Sequence, residues 1–445
     1  DAHLFAANEV YKPGGHFEKH LARFDYTDKE DMFDAVSYNK GGAIVHMLRK
    51  YVGDAAFFAA LKLYLTDNKY KATEVHHLRL AFESVTGKDL NWFFNQWYFS
   101  NGHPKIQVSY DYNTLESKVT VNVYQSGNVF QFPLAIDIVE NGKTERKNVF
   151  VNARDNSFTF NYTKAPQVIL INADAVLLVD VEETKTMQQY ISQLRFAKSF
   201  ALKKQAIEKL AVMQDDKKAF NAIANAMSDS FYKIRKQAIE TINLANKFSK
   251  KAVIEKLKKT ALNDKKTLVR AAAVETLGKL IDPQYMSIFQ ESLKSKSYSV
   301  LGKTLVAIYY IDKSTAIKLS KELPNEVRKI IATPLTRIFI EANDDSELEF
   351  IASNVLSGMF LTNDKRIQLL YNVAFEKIAK SNNTNAITNV VNDIVAKGKQ
   401  YKQFNFDKTA INLLNKMVEL QKKNEVVGRA KHIAIIRTGM TQLVN

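Results

Sequence analysis

The hydrophobic period of this chain changes twice along its length, and that pattern rules out any single-layer fold. From Ser37 to Asn101 the apolar residues recur at helical spacing, from Lys105 to about Asp180 they alternate, and from Met187 to the end they are helical again. At 445 residues the chain is also too long for one ordinary core; ~100–200 residues per domain suggests two to four domains.

The first helical stretch breaks into four short amphipathic segments. Ile44, Met47, Leu48 and Tyr51 share a face before Gly53, and Phe57, Leu61, Tyr64 and Leu65 form the next stripe behind Asp54. Thr73 is placed to cap a third helix with Val75, Leu78, Phe82 and Val85 inward, ended by Gly87. A fourth follows Asp89, with Leu90, Phe93, Phe94 and Trp97 inward. At Gly102 and Pro104 alternation takes over: Ile106, Val108, Tyr110 and Tyr112, then Val119, Val121 and Val123, then Phe132, Leu134, Ile136 and Ile138. Asn141-Gly142 supplies a hairpin turn. Further runs at 146–151, 157–162, 168–172 and 176–180 bring the number to about seven strands, which suits a small sandwich.

The C-terminal helical stretch contains an internal repeat. LKKQAIEKLA at 202–211 returns as IRKQAIETIN at 234–243 and as VRAAAVETLG at 269–278, at offsets of 32 and 35, with Asp229 and Asp264 a few residues before the second and third copies. Such spacing resembles HEAT or armadillo helical pairs, each of which stacks its apolar face on the next. The expected organisation is residues 1–102 helical, 103–185 a β-sandwich and 186–445 an irregular helical solenoid.

Composition closes off several chemistries. With no cysteine, disulfides, thiolate metal sites and cysteine nucleophiles are excluded, and no run approaches the ~18 apolar residues of a membrane span. The formal charge of +16 is uneven: residues 1–100 carry 12 Lys+Arg against 13 Asp+Glu and residues 101–185 carry 8 against 10, so all the excess lies beyond 185. A solvated lysine-rich face is the plain reading. The alternatives are attraction of peptide carboxylates and nucleic-acid binding, and no block of cations interleaved with aromatics supports the latter.

Three segments carry a resemblance. FDAVSYNKGGAIVHMLRKYVGDAAFF at 33–58, with a Tyr-x-Lys-Gly sequence opening a helix, is similar to the stretch that follows the zinc ligands in aminopeptidase N family enzymes. TGKDLNWFFNQW at 86–97 and NGHPKIQVSYDY at 101–112 resemble the same family in the same order, and close similarity covers roughly residues 17–112. The resemblance implies a multidomain, mainly α chain with a small β domain: the helical end of a thermolysin-like catalytic domain, a β-sandwich and a HEAT/armadillo-like solenoid. It further implies a zinc aminopeptidase acting on the N termini of peptides. In that family a zinc ion polarises the scissile carbonyl, a glutamate is the base and a tyrosine hydrogen-bonds the developing oxyanion. Tyr38 matches that tyrosine, and a phenol donates a hydrogen bond without bringing a charge.

The chain departs from the family in having no H-E-x-x-H, no following glutamate ligand and no Gly-x-Met-Glu-Asn. The expectation is that these lie upstream of a chain that begins too late to contain them. Zinc is then a cofactor of the full-length enzyme, and this chain alone is expected to bind none and to be inactive. His16, Glu18 and His20 invite a metal assignment, but Glu18 would point away from the two histidines on a helix, and a solvated surface is favoured. His76 and His77 are adjacent in a helix and face different directions. Lys40, Gly41 and Gly42 read as serving the helix start, and Trp92 and Trp97 as core. An exported location is expected on family habit alone. The rival reading is a noncatalytic HEAT-like interaction protein with a relic peptidase segment.

Overall fold

The computed structural model of the chain describes residues 19–245, 248, 250–424 and 427–444. It divides into two compact units, Asp1–Phe248 and Ser249–Asn445. As expected, the chain is mainly helical with one small β region.

In the first unit, a π-helical turn at Val36–Lys40 runs into α1 (Gly41–Val52), followed by α2 (Asp54–Asp67), α3 (Val75–Thr86) and α4 (Asn91–Trp97). The stripe of α1 buries Ile44, Met47 and Leu48, and α4 buries Phe93, Phe94 and Trp97 behind Leu90. Each such side chain, fully withdrawn from water, contributes ~1.5–3 kcal/mol. Three expectations are corrected. Leu65 is 65% exposed, and the inward face of α2 is formed by Phe57 and Ala60; Val85, expected inward on α3, is 37% exposed, and Ala81 and Phe82 are the buried residues there. Thr73 does not cap α3. Its hydroxyl accepts from Tyr64 at 3.0 Å, while the helix opens at Glu74, whose backbone N–H donates to His77 Nδ1 at 3.0 Å.

Seven strands follow among the described residues: β1 (Lys105–Asn113), β2 (Lys118–Gln125), β3 (Phe132–Glu140), β4 (Lys143–Val151), β5 (Asp155–Asn161), β6 (Val168–Ile171) and β7 (Asp180–Glu183). One sheet has the order β5-β2-β1-β7 and the other β4-β3-β6, with β1 and β7 parallel and every other pair antiparallel. The β3–β4 hairpin turns at Asn141 and Gly142, with φ of 50° and 75°, the left-handed pair of a type I′ turn. The final strand lies at 180–183, not at 176–180. Ile106 and Val108 of β1 meet the alternating residues of β2 and β3 between the sheets, with Tyr110 partly buried against them, whereas Tyr112 at the end of β1 is 40% exposed. The core continues without a break into α1–α4, since the Trp97 ring lies 5.4 Å from that of Phe130. Gln96 clasps the same seam, donating to Gln131 O at 2.8 Å and accepting from Gln131 N–H at 2.6 Å.

Beyond the strands come α5 (Met187–Phe196), α6 (Phe200–Ala211), α7 (Lys217–Ala226) and α8 (Tyr232–Thr241). Phe196 and Leu202 pack on Val139, Val168 and Leu170, so the outer face of the smaller sheet is covered. That explains why β6 is buried on both faces.

The second unit is helical throughout its described residues. Its helices repeatedly open on an aspartate: Asp282, Asp312 and Asp364 accept backbone N–H groups of Gln284, Thr315 and Arg366 at 2.9–3.0 Å, each satisfying an end-group donor. The helices Thr267–Gly278, Tyr298–Ile311, Ala332–Glu341 and Lys365–Ala379 pack side by side in that order. Close approach between the second and third is set by Gly302, where a Cβ would lie 2.7 Å from Pro334 Cγ.

Candidate active site

Tyr38 sits at the middle of the π turn, 62% exposed, with its ring 6.1 Å from that of Phe33. Single π turns recur at functional sites because the wider turn re-aims the side chains it carries. This one is anchored by Asp34. Its carboxylate accepts the Ser37 N–H at 2.9 Å and Arg23 Nη2 at 2.8 Å, and its carbonyl accepts the Tyr38 N–H at 3.1 Å. Burial pushes the Asp34 carboxyl up, but the Ser37 bond and the Arg23 guanidinium outweigh it, and the group is held below its ordinary value. Arg23 in turn donates to the backbone carbonyls of His20 and Asp31 at 3.2 and 3.3 Å. The helix start is thus fixed by an ionised, hydrogen-bonded carboxylate, while the phenol projects outward and makes no hydrogen bond among the described residues.

Two residues on, Lys40 points the opposite way. It is 1% exposed and its ammonium has no hydrogen-bond partner. Burial pushes its pKa down to about 8. Sequence reasoning assigned Lys40 to the helix start and missed its burial, although residues 40, 44, 47 and 51 fall on one helical face. The Asp34 cap was missed as well. Its signal was an aspartate three residues before Ser37 at the entry to a helix. Gly41 is buried, with Leu21 Cδ1 3.3 Å from where a Cβ would stand, whereas Gly42 has open space.

The histidines do not converge. His16 and Glu18 lie outside the described residues. His20 Nδ1 meets the Phe99 carbonyl, His76 stacks on Phe99 at 5.2 Å and His77 closes the start of α3. Among the described residues no three His, Asp or Glu side chains are grouped to hold a metal ion. The described residues therefore do not by themselves fit a zinc ion. Trp97 is core, and Trp92 is half-buried against Tyr51 and Phe150.

Residues 17–97 match the peptidase family M1 domain, and residues 226–307 match HEAT repeats. Aminopeptidase N of Lactococcus lactis is 35% identical over 85 residues, which are 19% of this chain and 10% of that protein. The mitochondrial aminopeptidase 2 of Saccharomyces cerevisiae is 35% identical over 82 residues, 18% of this chain and 9% of that one. A probable aminopeptidase 1 of Sulfurisphaera tokodaii is 26% identical over 146 residues, 32% and 18%. The chain thus matches less than a fifth of the length of each of these relatives. The crystal structure of Legionella pneumophila aminopeptidase A in complex with aspartic acid superposes with a TM-score of 0.53 at 13% identity, over 96% of this chain and 58% of that one, a likeness of fold. Among the described residues no helix is long and apolar enough to cross a membrane. Residues 17–97 are thus similar to the peptidase family M1 domain, and the likeness to curated aminopeptidases is confined to a minor part of each chain.

Proposed function

We propose that these residues belong to a zinc aminopeptidase that removes N-terminal residues from peptides, and that Tyr38 donates a hydrogen bond to the oxyanion that develops on the scissile carbonyl. The observation that carries this reading is an exposed phenol, without a hydrogen bond among the described residues, on a capped turn inside the segment that matches the M1 peptidases. A donor held in place before the reaction stabilises developing charge without reorganising. The division into 1–102, 103–185 and 186–445 is proposed on hydrophobic period alone, and an exported location on family habit alone. The HEAT match at 226–307 favours a second reading, in which the helical part is an interaction surface and the peptidase segment is a relic.

The deciding measurement is steady-state kinetics on the full-length gene product and its Tyr38→Phe variant. The expected loss is ~10²–10³ in kcat, with KM nearly unchanged. Because the side chain is mostly exposed, Tm should not move. Near-normal turnover in the variant would remove the catalytic role, and no aminopeptidase activity in the wild-type gene product would leave the interaction reading standing.

A further inference from the structure

One concave place in the second unit is lined by more cations than carboxylates, Lys279, Lys303, Arg337 and Arg366 against Glu275 and Asp364. A cavity of about 430 Å³ opens along the row of helices, between the C-terminal half of Thr267–Gly278, the middle of Tyr298–Ile311, Ala332–Glu341 and the start of Lys365–Ala379. A volume of this size falls in the range of small-ligand sites, ~300–1,000 Å³. Its floor is apolar, made by Ala307, Val306, Pro334 and Ile367.

Four cations line it. Lys303 is paired with Glu275 at 2.9 Å, and Arg366 grips Asp364 through two hydrogen bonds of 2.8 and 3.1 Å. The other two, Lys279 and Arg337, have no ion pair among the described residues. Arg337 stands beside the Tyr310 hydroxyl, which donates to Glu341 at 3.2 Å. Burial pushes the Glu275 carboxyl up, yet Lys303, Lys279 and Arg366 together hold it below its ordinary value, so the cavity keeps this carboxylate ionised and already matched. Lys279 and Arg337 are left without a direct ion pair over an apolar floor.

We propose that this cavity binds a ligand carrying one carboxylate on an apolar stem, with the carboxylate at Lys279 and Arg337 and the stem on Ala307, Pro334 and Ile367. Each part of the description limits the ligand. Only Lys279 and Arg337 of the lining cations lack a direct ion pair among the described residues, which suits a single anionic group and not a polyanion. The apolar floor gives an inorganic anion nothing to cover, whereas a hydrocarbon stem buries it. A planar guanidinium also matches a carboxylate with two parallel hydrogen bonds.

Two sources share that chemistry: a free small organic acid and the C-terminal end of a peptide. Calorimetric titration of the chain with N-acetyl-leucine, N-acetyl-leucinamide and an apolar tetrapeptide in free-acid and amidated forms separates them. The free acids should bind and the amides should bind about tenfold more weakly, the equivalent of one lost hydrogen bond to a charged group. Added salt should weaken only the acids. Lys279→Gln and Arg337→Gln should each weaken binding by a similar factor, while Lys294→Gln, whose charge is exposed outside the cavity, should not. Lys279 is exposed, so its variant tests the site without a risk to folding. A tetrapeptide that binds about tenfold tighter than N-acetyl-leucine identifies a peptide end, and equal affinities identify a small acid. Acids and amides of equal affinity, no binding by either acid, or variants that bind like wild type would overturn the proposal. The site requires no peptidase activity, so its failure would leave the reading of Tyr38 untouched.

Discussion

Lys40 gives the sharpest quantitative test. Its side chain is 1% exposed, its ammonium has no hydrogen-bond partner, and burial moves its pKa from an ordinary 10.5 to about 8. Since one pH unit corresponds to ~1.4 kcal/mol, keeping this lysine protonated in the folded chain costs about 3 kcal/mol. The sign follows from which state holds the proton more tightly. Below pH 8 both the folded and the unfolded chain carry it, and the penalty is present in full. Between pH 8 and 10.5 the folded chain has lost its proton while the unfolded chain still binds one, so stability climbs with pH. Lys40→Met keeps an unbranched stem and removes the charge. At pH 7 it should stabilise the first unit by roughly 1–3 kcal/mol, the packing change taking up part of the gain. The advantage over wild type should shrink as the pH is raised through this window. Urea unfolding followed by tryptophan fluorescence is the assay, because the only two tryptophans, Trp92 and Trp97, lie in that unit. Other groups that titrate above pH 8 are common to both proteins and cancel in the difference. A variant less stable than wild type at pH 7, or a difference that does not vary with pH, would refute the reasoning.

Three further substitutions probe the packing. In the sandwich, Lys185 and Glu183 form a buried ion pair and Tyr110 donates to the same carboxylate at 2.5 Å; Glu183→Gln should cost ~3–5 kcal/mol in urea unfolding, with Glu183→Gln plus Lys185→Met recovering most of it, and a loss under ~1 kcal/mol would show that Lys185 finds water. Gly302→Ala puts a Cβ 2.7 Å from the Pro334 ring and should destabilise the second unit by ~1–3 kcal/mol, read as a lowered Tm. Gly42→Ala, in the open on α1, should raise stability by ~0.5–1 kcal/mol, and a loss would mean that this face of the helix start is covered.

What could be read from the sequence, and what could not, follows from where each signal is stored. The four N-terminal helices were legible because α1 and α4 concentrate their apolar residues on one side. In α2, Phe57, Phe58, Leu61, Leu63, Tyr64 and Leu65 surround the axis, so spacing cannot say which are inward, and Leu65 was misplaced for that reason. The last strand was misread because the Asn172 side chain accepts from Leu177 N–H at 3.1 Å and donates to Leu177 O at 2.9 Å. These bonds hold the apolar run in a turn. The strand proper begins at Asp180, where it pairs in parallel with β1, and a parallel partner leaves no local trace. The cavity of the second unit was beyond reach for a similar reason. Its charges come from four helices spread between residues 275 and 367, so the sequence showed a basic excess but not that these four cations share one cavity.

The same limit applies within the site, over only three residues. The π turn puts Val36 and Lys40 on the inner side and Tyr38, between them, on the outer side. Exposing the phenol and burying the ammonium are therefore two results of one backbone geometry. The Asp34 carboxylate holds that geometry through the Ser37 N–H and Arg23. Replacing Lys40 by an apolar residue should relieve the inner side without moving Tyr38, since none of the bonds that fix the turn pass through the ammonium. If Lys40→Met stabilised the unit but altered the exposure of Tyr38 to iodination, the two faces would be coupled. The turn would then be a product of the buried charge rather than of the aspartate that caps it.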